Sequence, residues 1–149
     1  MTAFDLIGAL RTYASSLGWH FLYGDSFMRN FEATKNTYAS GDLILMSDPF
    51  TATPVYSTNG NKLISISYSG LLALGRKRET LTESNLDETW LQKYDNRLLT
   101  LLGTLSSNLI TFSCAQELTL QAVNLAMNVN QLDENIDFVT GTLTFLQEL

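Results

Sequence analysis

Three runs decide the fold: SNLDETWLQKYDNRLLTLLGTL (Ser84 to Leu105), ELTLQAVNLAMNV (Glu117 to Val129) and IDFVTGTLTFL (Ile136 to Leu146). The first carries Leu86, Trp90, Leu91, Tyr94, Leu98, Leu101, Leu102 and Leu105 at helical spacing. Glu88, Lys93, Asp95, Asn96 and Arg97 fall on the other face. This pattern predicts an amphipathic helix over about Asn85 to Leu105 that covers a sheet. Gly103 weakens its last turn. Ser84 and Asp87 have capping-box spacing, and Asp87 and Glu88 sit at the positive end of the helix dipole.

From Ile110 onward the period changes to two. Leu118, Leu120 and Ala122 alternate with Thr119 and Gln121; Val123, Leu125, Met127 and Val129 then take over on the opposite parity. One flat strand cannot place both sets on one buried face. A β-bulge near Ala122-Val123, or passage from one covered face to another, is therefore expected. Gln131 to Asn135 reads as a polar turn. Val139, Gly141, Leu143 and Phe145 alternate with Thr140, Thr142 and Thr144, which completes a hairpin of two long strands.

Upstream, Lys62 to Leu74 is a strand. Ile64, Ile66 and Tyr68 point one way and Ser65, Ser67 and Ser69 the other, and Gly70 marks a bulge or bend. Asp42 to Asp48 holds the continuous run Leu43 to Met46, which suits a strand covered on both faces, and Pro49 ends it. Pro49 to Asn61 (PFTATPVYSTNGN) contains the turn signal Asn59-Gly60 and reads as a long loop or a protruding hairpin arm. Its apolar residues Phe50, Val55 and Tyr56 either fold back on the core or dock on a neighbouring subunit.

Thr2 to Leu17 reads as a helix with a capping box at Thr2 and Asp5. Its apolar stripe runs from Leu6 to Leu17, and Gly18 is placed to end it in a left-handed conformation. Trp19 to Tyr23 is a short strand or extended link, and Asp25 to Ser40 a short helix or irregular segment. The whole predicts one α+β domain spanning residues 1–149. It has a mostly antiparallel mixed sheet packed against two main helices, with a long hairpin arm over 49–61.

The formal charge of −6 disfavours nucleic-acid binding through a general basic field. Arg97 is the last basic residue; Glu117, Asp133, Glu134, Asp137 and Glu148 follow it unopposed. Arg76-Lys77-Arg78 is the basic cluster. Glu79 and Glu83 close by favour a solvated loop with local ion pairing over a phosphate contact. With Phe50, Val55 and Tyr56, this cluster makes up the candidate subunit or partner interface. One cysteine, Cys114, precludes an intrachain disulfide and is expected as a small apolar residue in or near a strand. No signal peptide is visible, and no segment approaches the roughly 20 apolar residues of a membrane span, so a cytosolic origin is expected.

The equipment of most enzymes is missing. His20 is the one histidine and has no nearby ligand cluster, so a structural or exposed role is expected of it. No Gly-x-Ser-x-Gly elbow or Gly-rich phosphate loop occurs. Asp133, Glu134 and Asp137 do not match a calcium loop and read as a polar hairpin turn or an acidic surface. No catalytic residue, cofactor or metal site is expected.

The element order, with the ending LDENIDFVTGTLTF (Leu132 to Phe145), resembles the small neck and tail proteins of tailed bacteriophages. The tail-terminator (tail-completion) family is the nearest likeness. That resemblance implies a sheet packed against helices and a six-fold homo-oligomeric ring that caps the tail tube and joins it to the head. It also implies a virion protein made in the host cytoplasm, partnered by itself and by tail-tube and head-connector proteins. In such a ring Asp133, Glu134 and Asp137 would form an acidic lumen along which DNA slides without sticking. No single family residue carries over. Two other classes stay open: a small cytosolic adaptor domain without catalytic activity, and an enzyme using paired carboxylates.

Overall fold

The computed structural model describes residues 4–24, 38–39, 41–77, 98–129 and 136–149. The first helix, α1, spans Leu6–Ser16 and buries Leu6, Leu10 and Ala14, one stripe at helical spacing. Asp5 is its N-cap: the Gly8 N–H donates to Asp5 Oδ1 at 2.9 Å. The expected cap at Thr2 lies outside the described residues. Gly18 ends the helix at φ 74°. Its N–H donates to Ser15 O at 3.0 Å, and the Trp19 N–H donates to Ala14 O at 2.9 Å. This is a Schellman turn, which a glycine enters without steric cost.

Six described strands make one mixed sheet: β1 (His20–Tyr23), β2 (Leu43–Ser47), β3 (Thr51–Tyr56), β4 (Leu63–Lys77), β5 (Thr119–Val129) and β6 (Ile136–Glu148). Their order is β1-β2-β4-β6-β5, with β3 beside β4. Only the β1–β2 pairing is parallel among them. The 15-residue β4 is the spine. Its first half pairs with β3 and its second half with β2, so these two strands follow one another along the same side. Its whole other side pairs with β6, from Ser65↔Glu148 to Lys77↔Ile136. The chain is thus α+β, a mostly antiparallel mixed sheet against two helices. The segment expected as a protruding arm is an edge hairpin, whose β3 lies in the sheet beside the part of β4 that also pairs with β6, with the turn from Ser57 to Lys62 at its tip.

The second helix, α2, spans Leu99–Ala115. This corrects the expectation of a helix ending at Leu105 and a two-residue period from Ile110; the part from Ser84 to Arg97 lies outside the described residues. Leu101, Leu105, Leu109 and Phe112 carry one buried stripe straight through Gly103. Gly103 faces open space, with nothing within 4 Å of where its Cβ would stand. The β-branched and aromatic residues Ile110 to Phe112 look strand-like locally, and burial of the stripe overrides that preference. Cys114 lies exposed on this helix rather than in or near a strand.

Both helices cover the same sheet face. Leu10, Leu105, Leu109 and Phe112 pack there with Leu45, Leu72, Leu74, Val139, Leu143 and Phe145. The other face holds a second buried cluster of Ile44, Met46, Ala73 and Phe138, packed with Leu22, Tyr38 and Leu71. Neighbours along a strand point to opposite faces, so the continuous run Leu43 to Met46 serves both clusters.

The parity change in β5 is a bulge. Leu120 pairs with Phe145 and Ala122 with Thr144, leaving Gln121 unmatched. Leu118, Leu120 and Leu125 thereby all reach the helix-covered cluster despite their mixed parity. Gly70 is not a bulge: the register runs unbroken through Gly70↔Leu143. Its missing Cβ makes room for the Phe50 ring, whose Cγ would stand 2.7 Å from it. Gly141 does the same for Leu125, at 2.9 Å.

Candidate functional site

The described residues bring few reactive groups together. His20 Nε2 lies 2.9 Å from Asp42 Oδ2, and the Ala39 N–H donates to the same oxygen at 2.9 Å. The Ala39 hydrogen bond and then His20 hold the Asp42 carboxyl below its ordinary range. The Tyr38 ring lies 4.8 Å from the His20 ring, tilted to it by 58°. This clasp ties the start of β1 to the start of β2. Cys114 sits on α2, which packs on β4, β5 and β6, whereas β1 is at the opposite edge of the sheet. No three His, Cys, Asp or Glu side chains converge among the described residues. A groove of about 420 Å³ runs along α1, but its carboxylate, Asp5, is the helix cap. No described helix is long and apolar enough to cross a membrane.

What the fold does present is two unlike edges. One is the arm. Six hydroxyl, amide and backbone groups define its turn: the Ser57 N–H donates to Lys62 O at 2.7 Å, the Gly60 N–H to Ser57 O at 2.8 Å, and Ser57 Oγ to Asn59 Oδ1 at 2.7 Å. Gly60 takes φ 72°, as the Asn-Gly signal implies. Phe50 anchors the root of the arm in the Gly70 notch, 6.1 Å from the Phe145 ring. Every residue of β3 is exposed. At the tip Tyr56 is 57% exposed and Val55 43%. Ile64 and Leu149, joined by the Leu149 N–H donating to Ile64 O at 3.0 Å, are 46% and 47% exposed. Phe50 therefore folds back on the core while Val55 and Tyr56 face outward.

The backbone polarity of the arm follows from the same bond. Ile64 turns its carbonyl toward β6, so the even-numbered residues of this half of β4 face β6 and the odd ones face β3. The Asp48 N–H donating to Leu71 O agrees with this. Pro54 lies opposite Ile66, an even position, so its ring nitrogen is on the outer edge of β3. The edge lacks a donor there, a common protection against stray strand pairing.

The other edge is β5, and no described strand pairs with its outer side. Thr119, Gln121, Val123, Asn124 and Ala126 are exposed along it. Beside it, α2 turns Leu99, Gly103, Ser107, Ile110 and Cys114 to the surface. From Leu98 to Leu132 the single charged residue is Glu117. Glu117 takes φ 56°, the one positive φ among the described non-glycine residues. It is the left-handed residue of a second Schellman turn: the Leu118 N–H donates to Ser113 O at 2.9 Å and the Glu117 N–H to Cys114 O at 3.3 Å.

The residues expected at a single interface lie apart. Arg76 and Lys77 are at the far end of β4 from Tyr56, roughly 40 Å along an extended strand. There the Lys77 N–H donates to Asp42 O at 3.0 Å, and the Gly41 N–H to Lys77 O at 2.8 Å. Asp137 stands opposite Arg76 in the β4–β6 ladder. Arg78, Asp133 and Glu134 lie outside the described residues. Ile64, Ile110, Val123 and Glu117 were not singled out as site residues. The long run from Leu98 to Leu132, with Glu117 as its single charge, is the signal that could have found three of them. No family model matches this chain, and no curated protein matches it.

Proposed function

We propose that this protein is a non-catalytic structural subunit that assembles head-to-tail into a homo-oligomeric ring of the tail-terminator type, at the tail end or head–tail junction of a tailed phage. The observation that carries the reading is the pair of unlike exposed edges. The arm lies at one edge of the sheet and the β5 flank, whose one charge between Leu98 and Leu132 is Glu117, forms the opposite edge. A contact between two different patches of one chain is heterologous, and it builds a ring when the rotation between successive copies closes. The element order and the Leu132 to Phe145 segment supply the phage-tail part of the reading, with six subunits as the expected number. Its partners are further copies, the tail tube and the head connector, with no sequence-specific nucleic-acid contact and no membrane. Asp133, Glu134 and Asp137 would line the lumen and repel DNA phosphates.

Native mass spectrometry and electron microscopy of the purified protein, alone and with tail-tube protein, test this. A closed oligomer is the expected result. A monomer at every concentration and in both settings would sink it.

A further inference from the structure

We infer that the arm tip of one copy seats on the α2–β5 flank of the next copy, with Lys62 of the first facing Glu117 of the second. This deepens the ring reading and rests on it. The charge distribution selects the occupant. Two copies of a chain of net charge −6 repel each other over most of their surface. They meet at least electrostatic cost where neither carries charge. The arm from Pro49 to Asn61 has no charged residue, and Leu98 to Leu132 has one. The first charge beyond the arm is Lys62, exposed, and the lone charge of the flank is Glu117, also exposed. Their signs are opposite.

The chemistry of the two surfaces also fits. Tyr56, Val55 and Ile64 offer apolar area at the tip; Ile110, at 57% exposure, and Val123 offer it on the flank. Aromatic and aliphatic anchors inside an uncharged patch, with charges at its rim, are the usual make-up of a specific interface. Pro54 removes a donor from the outer edge of β3 and disfavours strand addition there, which favours a contact through side chains over a ladder. A two-fold contact of arm on arm would set Lys62 near its own copy, and flank on flank would set Glu117 near its own. The unlike pairing joins Lys62 to Glu117, while Glu148, exposed and opposite Ser65 in β4, adds a negative charge at the same end of the sheet. Glu117 also holds a backbone conformation that a glycine would adopt more easily, and retained strain of this kind is found where a side chain has a task.

The single native cysteine provides the test. Cys114 is exposed on the flank, so Thr58→Cys adds a second thiol in the turn beside the arm tip. With a short bis-maleimide, Thr58→Cys should give a ladder of covalent dimer, trimer and higher species. Wild type and Thr58→Cys/Cys114→Ser should stop at dimer or below. Independently, Lys62→Glu should weaken self-association about tenfold, and Lys62→Glu/Glu117→Lys should restore it. A ring in native mass spectrometry without the ladder, or without charge-swap rescue, overturns the contact and leaves the ring standing. Absence of any oligomer from wild type removes both. Covalent products that end at dimer in Thr58→Cys mean a two-fold contact, which also overturns the proposal.

Discussion

Gly18 and Glu117 occupy the same position of the same helix-ending turn, at φ 74° and 56°. Each follows a helix whose last carbonyls are taken up by the next two N–H groups. Glycine adopts this conformation freely, whereas a residue with a Cβ is disfavoured by about 1 to 2 kcal/mol. Part of that difference is offset because glycine gains more freedom in the unfolded chain. Glu117→Gly should therefore raise stability by about 1 kcal/mol, or roughly 2 to 4 °C in Tm. The same change should weaken self-association. A lower denaturation midpoint would contradict the strain argument.

Gly70 and Phe50 form a notch and its filling. An alanine at Gly70 would bring its Cβ within 2.9 Å of three atoms of the Phe50 ring. Gly70→Ala should destabilise by about 1 to 3 kcal/mol, the range for overpacking a filled site. In a Phe50→Ala background the same substitution should have less than about half that effect, because the clash is gone. Equal effects in both backgrounds, measured by urea denaturation, would mean that Phe50 does not occupy the notch.

Tyr13 ties the two helices together: its hydroxyl donates to Asn108 Oδ1 at 2.6 Å, and Asn108 Nδ2 donates to Thr104 O at 2.8 Å. Tyr13→Phe leaves the Asn108 oxygen without that donor and should reduce stability by about 1 kcal/mol. Burial pushes the Tyr13 hydroxyl up, with Thr111 pulling it back in part, and burial raises Tyr68 as well. A raised folded-state pKa means that the native chain holds its proton longer. Stability should then fall as pH climbs past about 10, and less steeply in a Tyr13→Phe/Tyr68→Phe variant. Identical alkaline slopes would argue against both burials.

Asp42 has the opposite sign. Its folded-state pKa is depressed, first by the Ala39 N–H and then by His20. Its contribution is therefore complete above the unfolded-state value and is lost as pH falls below about 4. Thermal melts of Asp42→Asn should lose less stability between neutral and acid pH than wild type does. A steeper acid loss in the variant would refute the assignment.

Where the chain keeps one period, the elements were legible. The alternation in Lys62 to Leu74 and Ile136 to Leu146, the doubly covered run at Leu43 to Met46 and the Gly18 terminus all appear as read. So does the bulge beside Ala122, because a parity flip has few other physical solutions. Two misreadings share a cause. Ile110 to Phe112 look like strand, and Gly70 looks like a bulge, when only nearest neighbours in sequence are weighed. The α2 stripe needs the sheet beneath it, and Gly70 needs Phe50, twenty positions earlier. Of the candidate site, Val55 and Tyr56 were legible as apolar residues in a polar loop. Ile64 and Ile110 were not, since their strand or helix patterns suggested burial.

The dependence of both β4 and β5 on β6 has a consequence for the order of events during synthesis. β4 is complete at Lys77, but its partner begins at Ile136, roughly 60 residues later. At ordinary elongation rates, a ribosome takes about 3 to 12 s to make that stretch. Throughout this interval the Leu71 to Leu74 segment has no β6 to pair with, and β5 emerges with no other described strand to join. Nascent chains of this protein are thus exposed to mispairing with one another until β6 closes the sheet. Closure of the sheet is also what gives β5 its fixed outer edge, so that edge exists only once the last strand has been made.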